Sequence, residues 1–350
     1  MLYSIQALRA IAASAVALRH SMYFVDTSST AAFPVSNYIS GLGSAGVHIF
    51  FVVSGFIMMW TNQDGSSNWR SFLRKRFSRI YPSYWLVAAL SIPAALYLGA
   101  QLPDTAEKWF GAFFLLPEGA SSLIFVGWTL AYEVYFYLLF ALALALGLPA
   151  FYRVLWLTVF FVASIFVGVF LLPPSLGFMG LPKLATSVLL LEFAAGAWIG
   201  WMATRGFKVT TGGASTMILI AVAGFGLSLW LGYKQYPSVI LWGIPSILLV
   251  IGCVSLEARG VGQRFFQWLS PLGDSSYALY LIHAILIPLL LAFIPQLDHL
   301  GLFAFLTLSF VLFLINILIS HLYFLYVERR LVRMSNQLLA EKTRARRRSQ

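Results

Sequence analysis

The sequence predicts an all-α polytopic membrane protein of about ten transmembrane helices, with its N- and C-termini in the cytoplasm. Three observations lead there. Hydrophobic residues make up 60% of the 350 positions and charged residues only 10%, against roughly 25% charged in a soluble domain. The apolar residues come in runs of about 20, the length that crosses a hydrocarbon core about 30 Å thick. Lys and Arg fall almost entirely into alternate loops between those runs.

Taken in order, the predicted spans are 5–25, 42–61, 82–100, 123–147, 152–172, 183–202, 214–233, 238–256, 276–295 and 302–326. Each is bounded by polar or Gly/Pro-containing stretches. Trp109–Leu116 is apolar but too short to cross, and is expected at an interface. Ten spans with short loops use nearly the whole length, so residues 1–326 read as a single transmembrane domain and 327–350 as a basic cytoplasmic tail.

Orientation follows from the cations. Arg70, Arg74, Lys75, Arg76 and Arg79 follow the second span. Arg153 follows the fourth, Arg205 and Lys208 the sixth, and Arg259 and Arg264 the eighth. The tail carries Arg329, Arg330, Arg333, Lys342, Arg344, Arg346, Arg347 and Arg348, whereas the opposite loops hold only Lys108, Lys183 and Lys234. The positive-inside rule then places the exits of even-numbered spans in the cytoplasm. The net charge of +11 therefore reads as topology, not as a nucleic-acid surface: no basic face or recognition motif for nucleic acid is present. Cys253 is the only cysteine and lies within an apolar run, which excludes a disulfide framework and a cysteine-based metal site.

Ionisable groups inside hydrocarbon are costly and mark function by default. Arg9 and His20 share the first span. Eleven residues apart, they fall within about 20° of one helix face and about 16 Å apart along the axis. Arg9 either snorkels to the inner headgroups or serves a site. Glu133 lies near the middle of the fourth span, and Glu192 lies in the sixth without a neighbourhood that suggests a role. Ser54-Gly55 has the small size of close helix packing. Ser276, Tyr280 and His283 recur at i, i+4 and i+7 on one face of the ninth span. Arg76 and Arg79, one turn apart, act either as a topology anchor on anionic lipid or as a phosphate grip. His48 and His321 read as structural.

Several stretches together resemble acyltransferase family 3, the multi-spanning bacterial O-acyltransferases, in its exopolysaccharide-type acetyltransferase branch. They are Ile5-Gln6-Ala7-Leu8-Arg9-Ala10-Ile11-Ala12 with the Arg9-to-His20 spacing, Gly46–Phe56, Arg76-Phe77-Ser78-Arg79-Ile80-Tyr81-Pro82, Gly127–Tyr137 and Ser276–His283. They occur in the family's order over essentially the full length. His48 stands where the family usually has Asp, and is left out of the catalytic set for that reason.

The resemblance implies transfer of an acyl group, most often acetyl, from cytoplasmic acetyl-CoA to a hydroxyl of a cell-envelope or extracellular glycan. It implies a multi-pass protein of the bacterial inner membrane, with acyl-CoA, a glycan or lipid-linked sugar acceptor and the lipid bilayer as partners. No metal is expected, since the sequence shows no convincing metal cluster and a thioester needs none to react with a hydroxyl and a base. His20 is the expected general base, with Glu133 orienting its tautomer as a carboxylate does in a triad. Arg9, Arg76, Arg79, Ser54, Ser276, Tyr280 and His283 are the expected donor-binding set. A secondary transporter or flippase of an envelope precursor is the alternative, with the same buried ions as a proton relay.

Overall fold

The computed structural model describes residues 2–29, 33–63, 68–173, 180–231, 238–294, 297 and 300–348, with side chains at 34–40, 42 and 340–348 outside the description. Lys234 and the side chains of the terminal Lys342–Arg348 run lie outside the described residues. The described chain is helical throughout: α1 (Tyr3–Thr27), α2 (Pro34–Trp60), α3 (Trp69–Tyr97), α4 (Ala106–Phe114), α5 (Gly127–Ala145), α6 (Ala150–Phe170), α7 (Gly180–Ala185), α8 (Leu190–Thr204), α9 (Thr211–Leu231), a π turn (Val239–Gly243) running into α10 (Ile244–Ala258), α11 (Gln263–Asp274), α12 (Ser276–Leu291), α13 (Leu302–Tyr323), and a second π turn (Phe324–Glu328) running into α14 (Arg329–Arg348).

Among the described residues, eight helices are long and apolar enough to cross a membrane, and nine if the bent pair α11–α12 counts as one span. Helix α1 is also 25 residues long, about 37 Å, but Arg9, Arg19 and Asp26 keep it out of that apolar set. It is the hub of the bundle and packs against α2, α11, α12 and α13. The outward faces of α6, α9 and α13 expose Phe166, Phe170, Leu219, Trp230, Phe303 and Phe310, the apolar surface that a lipid-facing helix requires.

Two of the differences from the sequence reading bear on the site. The Arg-x-x-Arg segment is not a loop before a span opening at Pro82; it is the first half of α3, a 29-residue helix with Pro82 and Pro93 inside it. Asn68 caps that helix, its side chain accepting from Arg70 N at 2.9 Å, so the helix starts at Trp69, thirteen residues ahead of the first proline. The tail, expected to be separate from the last span, continues α13 through the π turn as helix α14. It lies along α3, with Ser335 Oγ 3.2 Å from Ser78 Oγ.

Contacts gather the basic loops at one end of the bundle. Arg153 Nη1 donates to Asn62 O at 2.7 Å, and Arg259 Nε donates to Val209 O at 2.6 Å. Glu257 receives Tyr3 N and Ser4 N at the start of α1, at 2.7 and 2.9 Å, a carboxylate on orphan helix donors. The short α4, as its length predicts, does not cross. Its C-terminal carbonyls receive Tyr84 Oη and Trp85 Nε1 from the middle of α3, at 2.5 and 2.8 Å. The turn between α4 and α5 thereby buries Ala120, Ile124 and Val126 in the core.

Candidate active site

Helices α1, α2, α3, α5 and α12 surround a cavity of about 520 Å³. Leu2, Trp60 and Thr61, at the start of α1 and the end of α2, stand on the side of the basic loops; Thr129 and Tyr280 line it deeper in the bundle. Three guanidinium groups reach it, from Arg9, Arg76 and Arg79, against one lining carboxylate, Glu133. Arg9 is 9% exposed, and its Nη1 donates to Gln6 Oε1 at 3.0 Å. Gln6 Nε2 in turn donates to Asp274 Oδ1 at 2.9 Å, which fixes the amide so that its oxygen faces the arginine. Arg76 lies over the Phe72 and Tyr137 rings at 5.5 and 5.7 Å. Its buried Nε has no hydrogen-bond partner among the described residues. Glu328 is a further carboxylate within electrostatic reach of Arg79 and Arg9. The lining thus carries an excess of fixed positive charge, suited to an anionic ligand.

Glu133 does not meet His20. It accepts from Ser54 Oγ at 3.2 Å and from the hydroxyl of Tyr137, one turn along α5. Its place is in the arginine cavity, across from α2. The expected carboxylate–histidine pairing is replaced by a histidine–histidine contact.

His20 Nδ1 lies 2.9 Å from His283 Nε2, with the two rings stacked 5.0 Å apart. His283 is fully buried, and its Nδ1 lies 2.8 Å from Leu279 O. A carbonyl oxygen only accepts, so His283 carries its proton on Nδ1 and presents the Nε2 lone pair to His20. In the neutral pair, His20 then donates through Nδ1, and its Nε2 is left with a free lone pair. Phe125, from the turn before α5, packs edge-on against His20 at 4.8 Å. His20 is half-buried and does not line the cavity. Tyr280, which does, stands with its ring 5.8 Å from that of His283.

Of the expected donor set, Arg9, Arg76, Arg79, Ser54, Ser276 and Tyr280 converge on one cavity, together with Glu133. His283 does not line it. Gln6, Thr129, Tyr137 and Tyr277 also line the cavity, and were not singled out in the sequence. Gln6 stands three residues before Arg9 and Tyr137 four after Glu133, spacings that put each pair on one face. The polar groups expected to be structural also have partners: His48 Nδ1 meets Glu192 Oε1 at 2.5 Å, and His321 Nδ1 lies 3.2 Å from Ser275 Oγ.

Residues 2–325 match the family model described as the acyltransferase domain, acyltransferase family 3. Among curated proteins, the chain is 33% identical over 253 residues to the exopolysaccharide production protein ExoZ of Rhizobium meliloti (strain 1021), covering 69% of this chain and 76% of that one. It is 28% identical over 286 residues to the acyltransferase MdmB of Streptomyces mycarofaciens, covering 71% and 70%. No solved structure matches the chain. With a match over nearly all of its length, this multi-pass membrane protein belongs to acyltransferase family 3 and is an O-acyltransferase.

Proposed function

We propose that this protein moves an acyl group, acetyl in the first instance, from cytoplasmic acyl-CoA to a hydroxyl of a cell-envelope or extracellular glycan. In this reading it crosses the bacterial inner membrane ten times, with both ends in the cytoplasm. The name of the Rhizobium relative, exopolysaccharide production protein, supports a glycan acceptor. The arginine-rich cavity beside the basic loops supports a phosphate-bearing donor that enters from the cytoplasm.

The observation that carries the reading is the His20–His283 contact. A sugar hydroxyl is a weak nucleophile until its proton is removed, and imidazole suits that task near neutral pH. His283, anchored by Leu279 O, holds His20 in the tautomer whose Nε2 accepts a proton. The donor supplies a thioester, which carries the acyl group in reactive form. His20 Nε2 takes the proton of the acceptor hydroxyl as its oxygen bonds to the acyl carbon, and returns it to the departing sulfur. His283 orients the base without touching substrate, the part assigned to Glu133 by sequence alone. Arg9, Arg76 and Arg79 hold the charged end of the donor, and Gln6 keeps the Arg9 guanidinium in place.

Purified protein with acetyl-CoA and a glycan acceptor tests the proposal: free CoA and O-acetylated glycan should form together. Mass spectrometry of envelope polysaccharides from cells with and without the gene should show loss of an acetyl mass. No acetyl transfer to any envelope glycan by protein that binds acetyl-CoA would refute the acceptor class.

A further inference from the structure

Among the described residues, helices α11 and α12 form one sharply bent pair, meeting at Ser275 at 51°, and the 16-residue α12 opens at Ser276, a buried residue of the cavity wall. A helix start inside a membrane protein presents the positive end of the helix dipole and its orphan N–H groups to whatever lies in front of it. Half-helices of this kind face anionic groups of substrates in other membrane proteins.

This helix start is not spent internally. Ser275, at the N-cap position, makes no side-chain cap. Its Oγ is directed back to Leu272 O at 3.2 Å and Pro271 O at 3.4 Å, with His321 Nδ1 against it at 3.2 Å. Asp274 is turned to Gln6. Ser276, the first residue of α12, is 0% exposed, and its Oγ lines the cavity with no hydrogen-bond partner among the described residues. Leaving such a hydroxyl unpaired in a protein interior is costly, and that cost is recovered if a ligand completes the bond. Tyr277 Oη donates to Ile80 O at 2.9 Å, which ties this helix start to α3 one residue beyond Arg79. The neighbouring lining charges are Arg9, Arg76 and Arg79, with Glu133 as the opposing carboxylate, engaged by Ser54 and Tyr137.

We propose that the broken start of α12 is a seat for a diphosphate, with Ser276 Oγ and the helix N-terminus on one side of it and the arginines on the other. It lies in the cavity assigned above to the donor, and rests on that reading only for the source of the ligand. Two substrates of the proposed reaction bring a diphosphate: the CoA donor, and an acceptor sugar carried on a polyisoprenyl diphosphate.

The test uses the full-length protein in detergent, with inorganic pyrophosphate as the first probe. Wild-type protein should be stabilised against heat by pyrophosphate. Ser276→Asp places a carboxylate on the same helix start, so it should raise the Tm of the free protein and cut pyrophosphate affinity by about tenfold or more, the scale of one charge-assisted contact. Ser276→Ala should weaken binding by a smaller factor, and serves if the aspartate variant does not fold. Three further titrations identify the source. Loss of CoA affinity with S-acetylpantetheine binding unchanged assigns the seat to the donor. Loss of affinity for a polyisoprenyl-diphosphate sugar assigns it to the acceptor. Wild-type affinity of both variants for all four ligands overturns the seat. Failure of the acyltransferase reading is a separate result: no transfer by wild-type protein that still binds pyrophosphate through Ser276.

Discussion

His48 on α2 and Glu192 on α8 meet at 2.5 Å with side chains 4% and 0% exposed, although 144 residues separate them. Glu192 Oε2 has no hydrogen-bond partner among the described residues. Gly243, in the first π turn, leaves room for the carboxylate: a Cβ there would lie 2.6 Å from Glu192 Oε1. The pair joins two helices that approach closely, since a Cβ at Gly55 would collide with Phe193 O and one at Gly196 with Val52 O. Removing one member strands the other in the interior, at a cost of about 3–5 kcal/mol, whereas replacing both by apolar groups is far milder. Glu192→Leu and His48→Leu should each lower the Tm sharply, and the double variant should recover much of the loss. Melting of the purified variants checks this, and additive losses in the double variant would count against a coupled pair.

Position along a helix is legible in sequence, while direction is legible only within one helix. The spacing puts Arg9 and His20 on one face of α1; Arg9 lines the arginine cavity and His20 meets His283. Ser276, Tyr280 and His283 were likewise placed on one face of α12, and two of the three line the cavity. His283 does not, because seven residues of helix carry it about 10 Å further along the axis, past the wall made by Tyr280 and Thr129. Glu133 lies within α5, but its partners depend on how α5 is rotated against α1 and α2, and no local pattern specifies that. The His48–Glu192 pair has the same origin: its members belong to helices whose contact is set by packing of Gly55, Gly196 and Phe193. The helical start of α3 was legible in principle. Asn68 is a good cap, and no breaker stands between it and Pro82.

Arg76→Ala should weaken binding of the phosphate-bearing donor by about tenfold or more, the scale of one charge-assisted hydrogen bond. Arg76→Lys should recover only part of it. An ammonium keeps the charge but lacks the planar fork, and it stacks less well on the Phe72 and Tyr137 rings that Arg76 now covers. Equilibrium titration with a non-reactive CoA thioether measures the effect without turnover. Full affinity in the Arg76→Ala and Arg79→Ala proteins would return the segment to the role of topology anchor.

The proposed topology places residues 26–41, 101–122, 173–182 and 296–301 outside the cell, and 62–81 and 327–350 inside. Asp104 and Lys208 are both exposed to solvent on opposite sides of this arrangement. Asp104 forms a surface ion pair with Lys108, at 2.7 Å, of small energetic value. In a Cys253→Ser background, Asp104→Cys should react with a membrane-impermeant maleimide on intact cells. Lys208→Cys should react only after the membrane is opened. Labelling of Lys208→Cys from outside would invert the scheme and move the arginine cavity away from the cytoplasm.

The two roles available to His283 make opposite kinetic predictions. If it bound the donor, as its spacing from Ser276 and Tyr280 suggests, its removal would raise the KM for acyl-CoA. If it sets the tautomer of His20, as the 2.9 Å contact and the Leu279 anchor indicate, its removal should lower kcat and leave donor affinity alone. A general base contributes roughly a hundred- to ten-thousand-fold. His20→Ala should lose at least the lower figure while still binding acyl-CoA, because His20 does not line the arginine cavity. His283→Ala should lose a smaller factor, since an unanchored His20 ring still samples the productive tautomer part of the time. The double variant should be no worse than His20→Ala, as expected of residues that act as a unit. Steady-state kinetics on the three proteins, with binding measured separately, decide the matter. Near wild-type kcat in His20→Ala would remove it as the base, and a raised KM with unchanged kcat in His283→Ala would return that residue to the donor site.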